Sequence, residues 1–246
     1  FEDAFAAVEK GRAELAMIPV ENTIAGRVAD IHYLLPETTL HIIGEHFLPI
    51  RFQLMGLPGT KLDEIEAARS HIMGLGQCRK FLREHGIERV TAADTAGAAR
   101  EVSELGDKTI AAIAPRLAAD VYGLEVLAED IEDAEHNTTR FVIMSREPGD
   151  QQISDDITVT AFIFQVRNIP AALYKAMGGF ATNGVNMTKL ESYQIGGGFR
   201  ATQFYAEVEG HPDERHVQLA LEELGFFSSM LKIIGVFPAA ADRHDQ

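Results

Sequence analysis

Asn137-Thr138-Thr139-Arg140-Phe141 sets a hydroxyl beside a permanent cation and runs straight into the apolar stretch Val142-Ile143-Met144. A hydroxyl can hand over a proton and a guanidinium can hold a carboxylate. The pairing, at the mouth of a buried strand, suits an anionic substrate whose leaving group must be protonated. The same residues would also serve as the end of a loop with the arginine in solvent, and local evidence alone favours that plainer reading.

Three more polar clusters follow apolar runs. Pro19-Val20-Glu21-Asn22-Thr23-Ile24-Ala25-Gly26-Arg27 either binds a polar ligand, with Gly26 opening a helix near Arg27, or is a turn capped by Asn22 or Thr23. Ser70-His71-Ile72-Met73-Gly74-Leu75-Gly76-Gln77-Cys78 offers Ser70 as a helix N-cap, and His71 reads as structural. Gln77 would then lie two turns on, roughly 10 Å by helical rise. The two can share one ligand only if the segment starts non-helically. Asp94-Thr95-Ala96-Gly97-Ala98-Ala99 places Asp94 where an N-cap belongs. No Ser-His-Asp grouping, metal-spaced His/Cys set, phosphate loop or dinucleotide fingerprint is present, so chemistry without a cofactor or metal is expected.

The elements that must position these clusters read as follows. Leu15–Val20, Thr39–Phe47, Phe52–Leu57, Arg89–Ala93, Thr109–Ala114 and Arg140–Met144 are predicted strands. A further short strand precedes Ser70. Gly74–His85, Thr95–Leu105 and Pro115–Tyr122 are predicted helices, Pro115 taking the first helical position. The alternation implies an α/β domain with largely parallel strands, whose ligands gather beyond strand C-termini and at helix N-termini. Ser145–Asp156 is polar, carries Pro148-Gly149 and reads as a linker, dividing the chain into 1–150 and 151–246. Beyond it, strand 157–166, helix 170–182, strands 185–194 and 199–208 around Gly196-Gly197-Gly198, helix 213–225 and strand 230–237 give the order βαββαβ, the ferredoxin-like split arrangement.

Composition bounds the partners. With 246 residues, 46% hydrophobic and 24% charged, the chain can bury a core without staples. The single cysteine, Cys78, excludes an internal disulfide framework and fits a reducing, cytoplasmic setting. The two glycosylation-like triplets at Asn137 and Asn186 are then chance matches. No apolar run approaches the ~20 residues that span a bilayer. The net charge of −15 argues against nucleic acid. Residues 1–156 hold 15 Lys/Arg against 28 Asp/Glu, and 157–246 hold 7 against 9. An anionic ligand of the first part therefore needs a local arginine, Arg140 or Arg27.

Together these blocks resemble the prephenate dehydratase family in its form with a C-terminal ACT regulatory domain, over nearly the whole chain. Pro19–Leu35 is similar to the family's P-x-E-N block followed by G-R-V-x-D. Ser70–Cys78 is similar to S-H-x-x-x-L-x-Q-C, Asp94–Ala99 to the acidic-S/T-x-x-A-A block, and Thr139-Arg140-Phe141 to the T-R-F signature. Asn168-Ile169-Pro170-Ala171-Ala172-Leu173 resembles N-x-P-G-A-L, and Phe180–Ser192 resembles the segment that binds phenylalanine in regulated relatives. Each block alone is weak, but six in the family's order are specific.

The resemblance implies a two-lobed catalytic domain similar to periplasmic binding proteins, with prephenate in the interlobe cleft, plus an ACT module. It implies loss of CO2 and water from prephenate to give phenylpyruvate in phenylalanine biosynthesis, with feedback inhibition by phenylalanine. Thr139 would give or relay the proton. Arg140 would hold the pyruvyl carboxylate or orient the loop, and Phe141 would wall the pocket. Asn22, Ser70 and Gln77 would touch substrate, and Asp94 would support the acid. Phenylalanine would sit near Asn168, Ala171, Ala172, Leu173, Glu191 and Ser192, and the ACT module would build a homodimer or homotetramer. Arogenate dehydratase and a non-catalytic amino-acid sensor are the alternative readings.

Three departures stand out. The family's opening strand and Gly-rich loop precede Phe1. Asp94 stands where relatives often carry Glu. Ala171 replaces a Gly, and Tyr193-Gln194 replace the Arg-Pro of E-S-R-P, which bears on the strength of phenylalanine regulation.

Overall fold

In chain order the elements begin with α1 (Glu2–Glu9), β1 (Leu15–Asn22), β2 (Gly26–Arg27), α2 (Ile31–Leu34), β3 (His41–Pro49) and β4 (Gln53–Gly56). Next come β5 (Ala67–Ser70), α3 (Ile72–Gln77), α4 (Arg79–Glu84), β6 (Glu88–Thr91), α5 (Thr95–Leu105), β7 (Ile110–Ala114), α6 (Arg116–Tyr122), β8 (Glu125–Ala128) and β9 (Thr138–Ser145). The chain closes with β10 (Thr158–Val166), α7 (Ala172–Thr182), β11 (Met187–Gln194), β12 (Ala201–Glu209), α8 (Arg215–Phe227) and β13 (Ser228–Pro238). This computed structural model describes residues 1–134, 136–154, 156–167, 169–194 and 201–244. The expected turn at Gly196-Gly197-Gly198 and the ligand residue Asn168 lie outside the described residues.

Two compact units form, Phe1–Leu48 with Thr139–Gln246 and Pro49–Thr138. They do not coincide with a cut at residue 150. The reason is visible in the first unit, whose eight-stranded sheet runs β11-β12-β10-β13-β3-β9-β1-β2. Its last four strands in sequence, β10 to β13, hold the split order expected of βαββαβ, and β13 then meets β3 in parallel at Gly235 and Ile42. A Cβ on Gly235 would lie 2.6 Å from the Ile42 carbonyl oxygen, so only glycine lets these strands close up. Strand β10 is buried on both faces. Val159, Ala161 and Ile163 pack with Ile18, Val142 and Ile42, while Phe162 and Phe164 pack with Phe180 of α7 and Leu224 of α8. Period-2 alternation thus sends one strand into two cores.

The second unit is a five-stranded sheet in the order β6-β5-β7-β4-β8. Ala111 and Ile113 of β7 face one core with Leu54 and Leu82; Ala112 and Ala114 face another with Ala98, Ala99 and Val102 of α5. Helix α5 is bounded as its sequence dictates, by the Asp94 cap and by Gly106 at φ +71.

The α/β class holds, but largely parallel strands do not. Among the pairings described, β5–β6, β5–β7 and the β13–β3 junction are parallel, whereas β1 pairs antiparallel with β2 and β9, and β4 and β10 pair antiparallel on both sides. Apolar runs mark a segment as a strand, whereas its direction is set by distant partners. The predicted helix 74–85 is broken into α3 and α4 at Cys78, which has φ −120. Pro115 is the N-cap of α6 rather than its first residue. Helix α1 and strand β8 add to the elements read from the sequence.

Candidate active site

Strands β1 and β9 pair antiparallel, with a register shift between Pro19 and Glu21. Beyond the shift Glu21 lies opposite Arg140 and Asn22 opposite Thr139. The Asn22 side-chain oxygen accepts the backbone N–H groups of Ile24 at 2.9 Å and Ala25 at 2.8 Å. That turn fixes which end of the amide faces the sheet, so Nδ2 donates to Thr139 Oγ1 at 3.0 Å. A hydroxyl that accepts from an amide keeps its own proton to donate elsewhere, and the amide stabilises negative charge developing on its oxygen. Asn22 is therefore both turn residue and partner of Thr139. The helix expected near Arg27 is absent there: Gly26 and Arg27 form β2 against Asn22 and Glu21, with Gly26 at φ +80, and α2 begins at Ile31.

Alternation along β9 splits the T-R-F triplet. Thr139 and Phe141 are half-buried on one face, while Arg140 turns to the other and is 4% exposed. There three carboxylates hold it. Nη1 donates to Glu21 at 3.0 Å, Nε to Glu45 at 2.8 Å and Nη2 to Glu207 at 2.9 Å. The solvent-facing arginine of the loop-end reading is excluded.

The surrounding network is dense. Arg243 donates to Glu45 at 2.7 Å and to Glu207 at 2.5 Å, Lys189 pairs with Glu21, and Tyr205 donates to Glu207. Burial raises the Glu207 pKa, but Arg140 and Arg243 overcome it and bring the carboxyl down to about 2. Burial likewise works against the Glu21 anion, and Lys189 and Arg140 hold its pKa below the ordinary value. Glu21, Arg140, Lys189, Glu207 and Arg243 line a polar cavity of about 320 Å³ together with Asn186, Thr188 and the Phe47 ring, 5.8 Å from the Arg140 guanidinium. Glu45, Glu207, Lys189 and Arg243 are not among the candidate residues named from the sequence. A signal exists for Glu207: a carboxylate inside the apolar run Phe204–Val208 has to be paired if the strand is buried.

In the second unit the polar clusters are mostly engaged by the fold itself. Ser70 is fully buried and its hydroxyl donates to the Ile113 carbonyl at 2.7 Å. It is not the N-cap; His71 is, its Nδ1 accepting the Met73 N–H at 3.3 Å. Asp94 caps α5 through the Gly97 N–H at 2.5 Å and is exposed. Gln77 accepts from Asn137 Nδ2 at 2.7 Å, so the residue that precedes the two threonines is fixed by the glutamine of the S-H block. Cys78 is buried and free, and burial raises its thiol pKa.

The prephenate dehydratase family profile matches residues 1–149. The chain belongs to the prephenate dehydratase family. Its members are lyases. A bifunctional N-acyl-homoserine lactone acylase/prephenate dehydratase of Komagataeibacter europaeus is 49% identical over 99% of this chain and 86% of its own length. Arogenate dehydratase/prephenate dehydratase 1 of Arabidopsis thaliana is 36% identical over 97% of this chain, which spans 64% of that relative's length. The crystal structure of prephenate dehydratase from Arthrobacter aurescens in complex with L-Phe superposes with a TM-score of 0.87 at 31% identity, covering 99% of this chain and 80% of that one.

In this family member the residues expected around phenylalanine are engaged as follows. Ala171 takes a left-handed conformation, φ +60, just ahead of α7, and Ala172 and Leu173 pack into the helix-side core. Glu191 pairs with Lys189 at 2.9 Å and accepts from Tyr193 at 3.2 Å. The Ser192 carbonyl accepts from Arg27 at 3.3 Å, and the Arg27 guanidinium lies 5.9 Å from the Tyr193 ring centre. Arg27 thus faces β11, at the position where the family's arginine is replaced by Tyr193.

Proposed function

We propose that this chain converts prephenate to phenylpyruvate, water and CO2, with Thr139 as proton donor or relay to the departing ring hydroxyl. The observation that carries the reading is the Asn22 amide seated on the Thr139 hydroxyl at 3.0 Å. A threonine hydroxyl alone is a poor acid. An amide donor on its oxygen stabilises the alkoxide character that grows as the proton leaves, and proton transfer of this kind contributes roughly 10²–10⁴-fold. The carbon–carbon bond to the ring carboxylate breaks as CO2 departs, its electron pair completes the aromatic ring, and the protonated hydroxyl leaves as water.

A guanidinium gripping the departing carboxylate would stabilise the ground state and oppose the reaction. The three carboxylate partners of Arg140 support the orienting role for it. Phe141, on the face of Thr139, is the pocket wall, and Gln77 is a substrate contact. Ser70 and Asp94 contribute through the framework they brace. Residues 1–150 are the two-lobed catalytic domain and 151–246 the ACT module, through which the chain forms a homodimer or homotetramer. Phenylalanine as effector is supported by the Arthrobacter relative's complex with L-Phe. Coupling of about 1–3 kcal/mol between effector and substrate is the expected scale. A reducing cytoplasm accommodates the free, buried Cys78, and no helix among the described residues is long and apolar enough to cross a membrane.

Following product from prephenate and then from arogenate tests the reading. Faster turnover of arogenate would reassign the substrate, and binding without turnover would leave the sensor. A second reading has its own observation in the 49% identical relative that carries both an acylase and a dehydratase name. Release of fatty acid from an N-acyl-homoserine lactone is its measurement.

A further inference from the structure

We propose that Arg243 is a positioning residue for this reaction, closing a ring of two guanidinium groups and two carboxylates that holds Arg140, and with it Thr139, in place. The inference rests on Thr139 being the proton donor. The ring is closed by four contacts. Arg140 Nη2 lies 2.7 Å from Glu45 and 2.8 Å from Glu207, and Arg243 reaches the same two carboxylates at 2.7 and 2.5 Å. Both glutamate side chains are 0% exposed, so neither can turn to water for a substitute partner. Arg243 lies on the short turn Ala241–His244 that follows β13. The segment is anchored twice more, by the Ala240 N–H to Glu45 at 3.0 Å and by Arg243 to Thr188 on β11 at 3.0 Å.

Charge count gives the device its effect. With Arg243 present, two buried carboxylates face two cations. Without it both fall to Arg140, whose Nη1 is already engaged by Glu21, and two like charges crowd one guanidinium. Either Arg140 shifts toward one of them or a carboxylate takes up a proton and releases it. Arg140 and Thr139 are consecutive on β9, and their partners Glu21 and Asn22 are consecutive on β1. A shift of the guanidinium therefore moves the strand pair that sets the Asn22–Thr139 hydrogen bond. Catalytic geometry is sensitive to this: a misplacement of about 1 Å can cost on the order of 10²-fold.

The test is steady-state kinetics on Arg243→Ala, Glu207→Gln and the double variant, beside Thr139→Ala, each checked by thermal melting. Arg243→Ala is expected to lower kcat about 10- to 100-fold, with KM within about threefold. Adding Glu207→Gln removes the surplus negative charge and is expected to return about tenfold of that loss. Truncation that only loosens packing would instead make the two losses multiply. A wild-type kcat in Arg243→Ala, or multiplied losses in the double variant, overturns the proposal. Should Arg243→Ala fail to fold, Arg243→Lys replaces it, alone and with Glu207→Gln. Lysine keeps the charge but cannot span both carboxylates, so a smaller loss with the same rescue is expected, and wild-type kcat overturns the proposal. An active Thr139→Ala would sink the donor assignment, whereas an inactive one beside an unaffected Arg243 variant sinks this inference alone.

Discussion

The two faces of β9 are built for opposite purposes from adjacent residues. On one face Thr139 is half-buried and its oxygen accepts from the Asn22 amide, which leaves its own proton to donate. On the other, Arg140 is buried and committed to three carboxylates. The hydroxyl face is the one to which the proposed proton transfer belongs. The guanidinium face is complete, because a buried charge without partners would not be tolerated. The T-R-F triplet thus divides between two faces, Thr139 and Phe141 on one and Arg140 on the other, separated by the pleat of the strand.

The sharpest way to break this comparison is to delete each side. Thr139→Ala should lower kcat about 10²–10⁴-fold while melting temperature and KM stay near wild type. Equal loss in Thr138→Ala, with Thr139→Ala still active, would move the donor to the wrong face. Arg140→Met should act the other way, destabilising the fold by roughly 3–5 kcal/mol in chemical denaturation, since Glu45 and Glu207 lose a shared buried partner. If Arg140→Lys kept full stability yet abolished turnover, the arginine would touch substrate and the contrast between the faces would fail.

Acid titration sharpens the same contrast. The Glu207 carboxyl sits at about 2 in the fold against an ordinary 4.5. A depressed folded pKa contributes stability that is fully present above about 4.5 and is lost as pH falls toward 2, here on the order of 3 kcal/mol. Glu207→Gln should flatten the fall in melting temperature across that window. On the catalytic face, Asn22→Ala should cost kcat about tenfold by removing one donor from the Thr139 oxygen, with rate at saturating substrate as the measure. Last and smallest, Ala171→Gly should raise stability by about 1 kcal/mol, because Ala171 holds φ +60, a conformation glycine adopts without a Cβ penalty. A fall in melting temperature would mean that the methyl group contributes more by packing than it costs in backbone conformation.

Much of the fold was legible where the signal is local. Helix α5 lies at the predicted residues, Thr95–Leu105, because Asp94 caps one end and Gly106 turns the other. The βαββαβ order was legible because each strand there alternates and each helix has its own period. Helix 74–85 came out in two pieces because its break at Cys78 depends on backbone geometry that periodicity does not report. Of the candidate site, Thr139 and Asn22 were found as members of separate blocks, while their contact was not foreseen. The predicted strand Arg140–Met144 starts one residue after Thr139, and that start hid the alternation that parts Arg140 from Thr139. The resemblance gave Ser70 as a substrate contact and Asp94 as support for the acid; the fold adds that the Ser70 hydroxyl bonds to the Ile113 carbonyl and that Asp94 caps a helix.

By itself the sequence determined that residues 140–144 would be extended and where the polar residues capable of chemistry sit along the chain. It also carried the family, through six blocks in order. Only the tertiary structure decided which residues meet. Asn22 reaches Thr139 across 117 positions, and Glu45, Arg140, Glu207 and Arg243 come from four separated segments. Local patterns fix dihedral angles and faces, but a charge buried in a strand shows only that it needs a partner. The identity of that partner is set by strand pairing, a global choice that no short window of sequence contains.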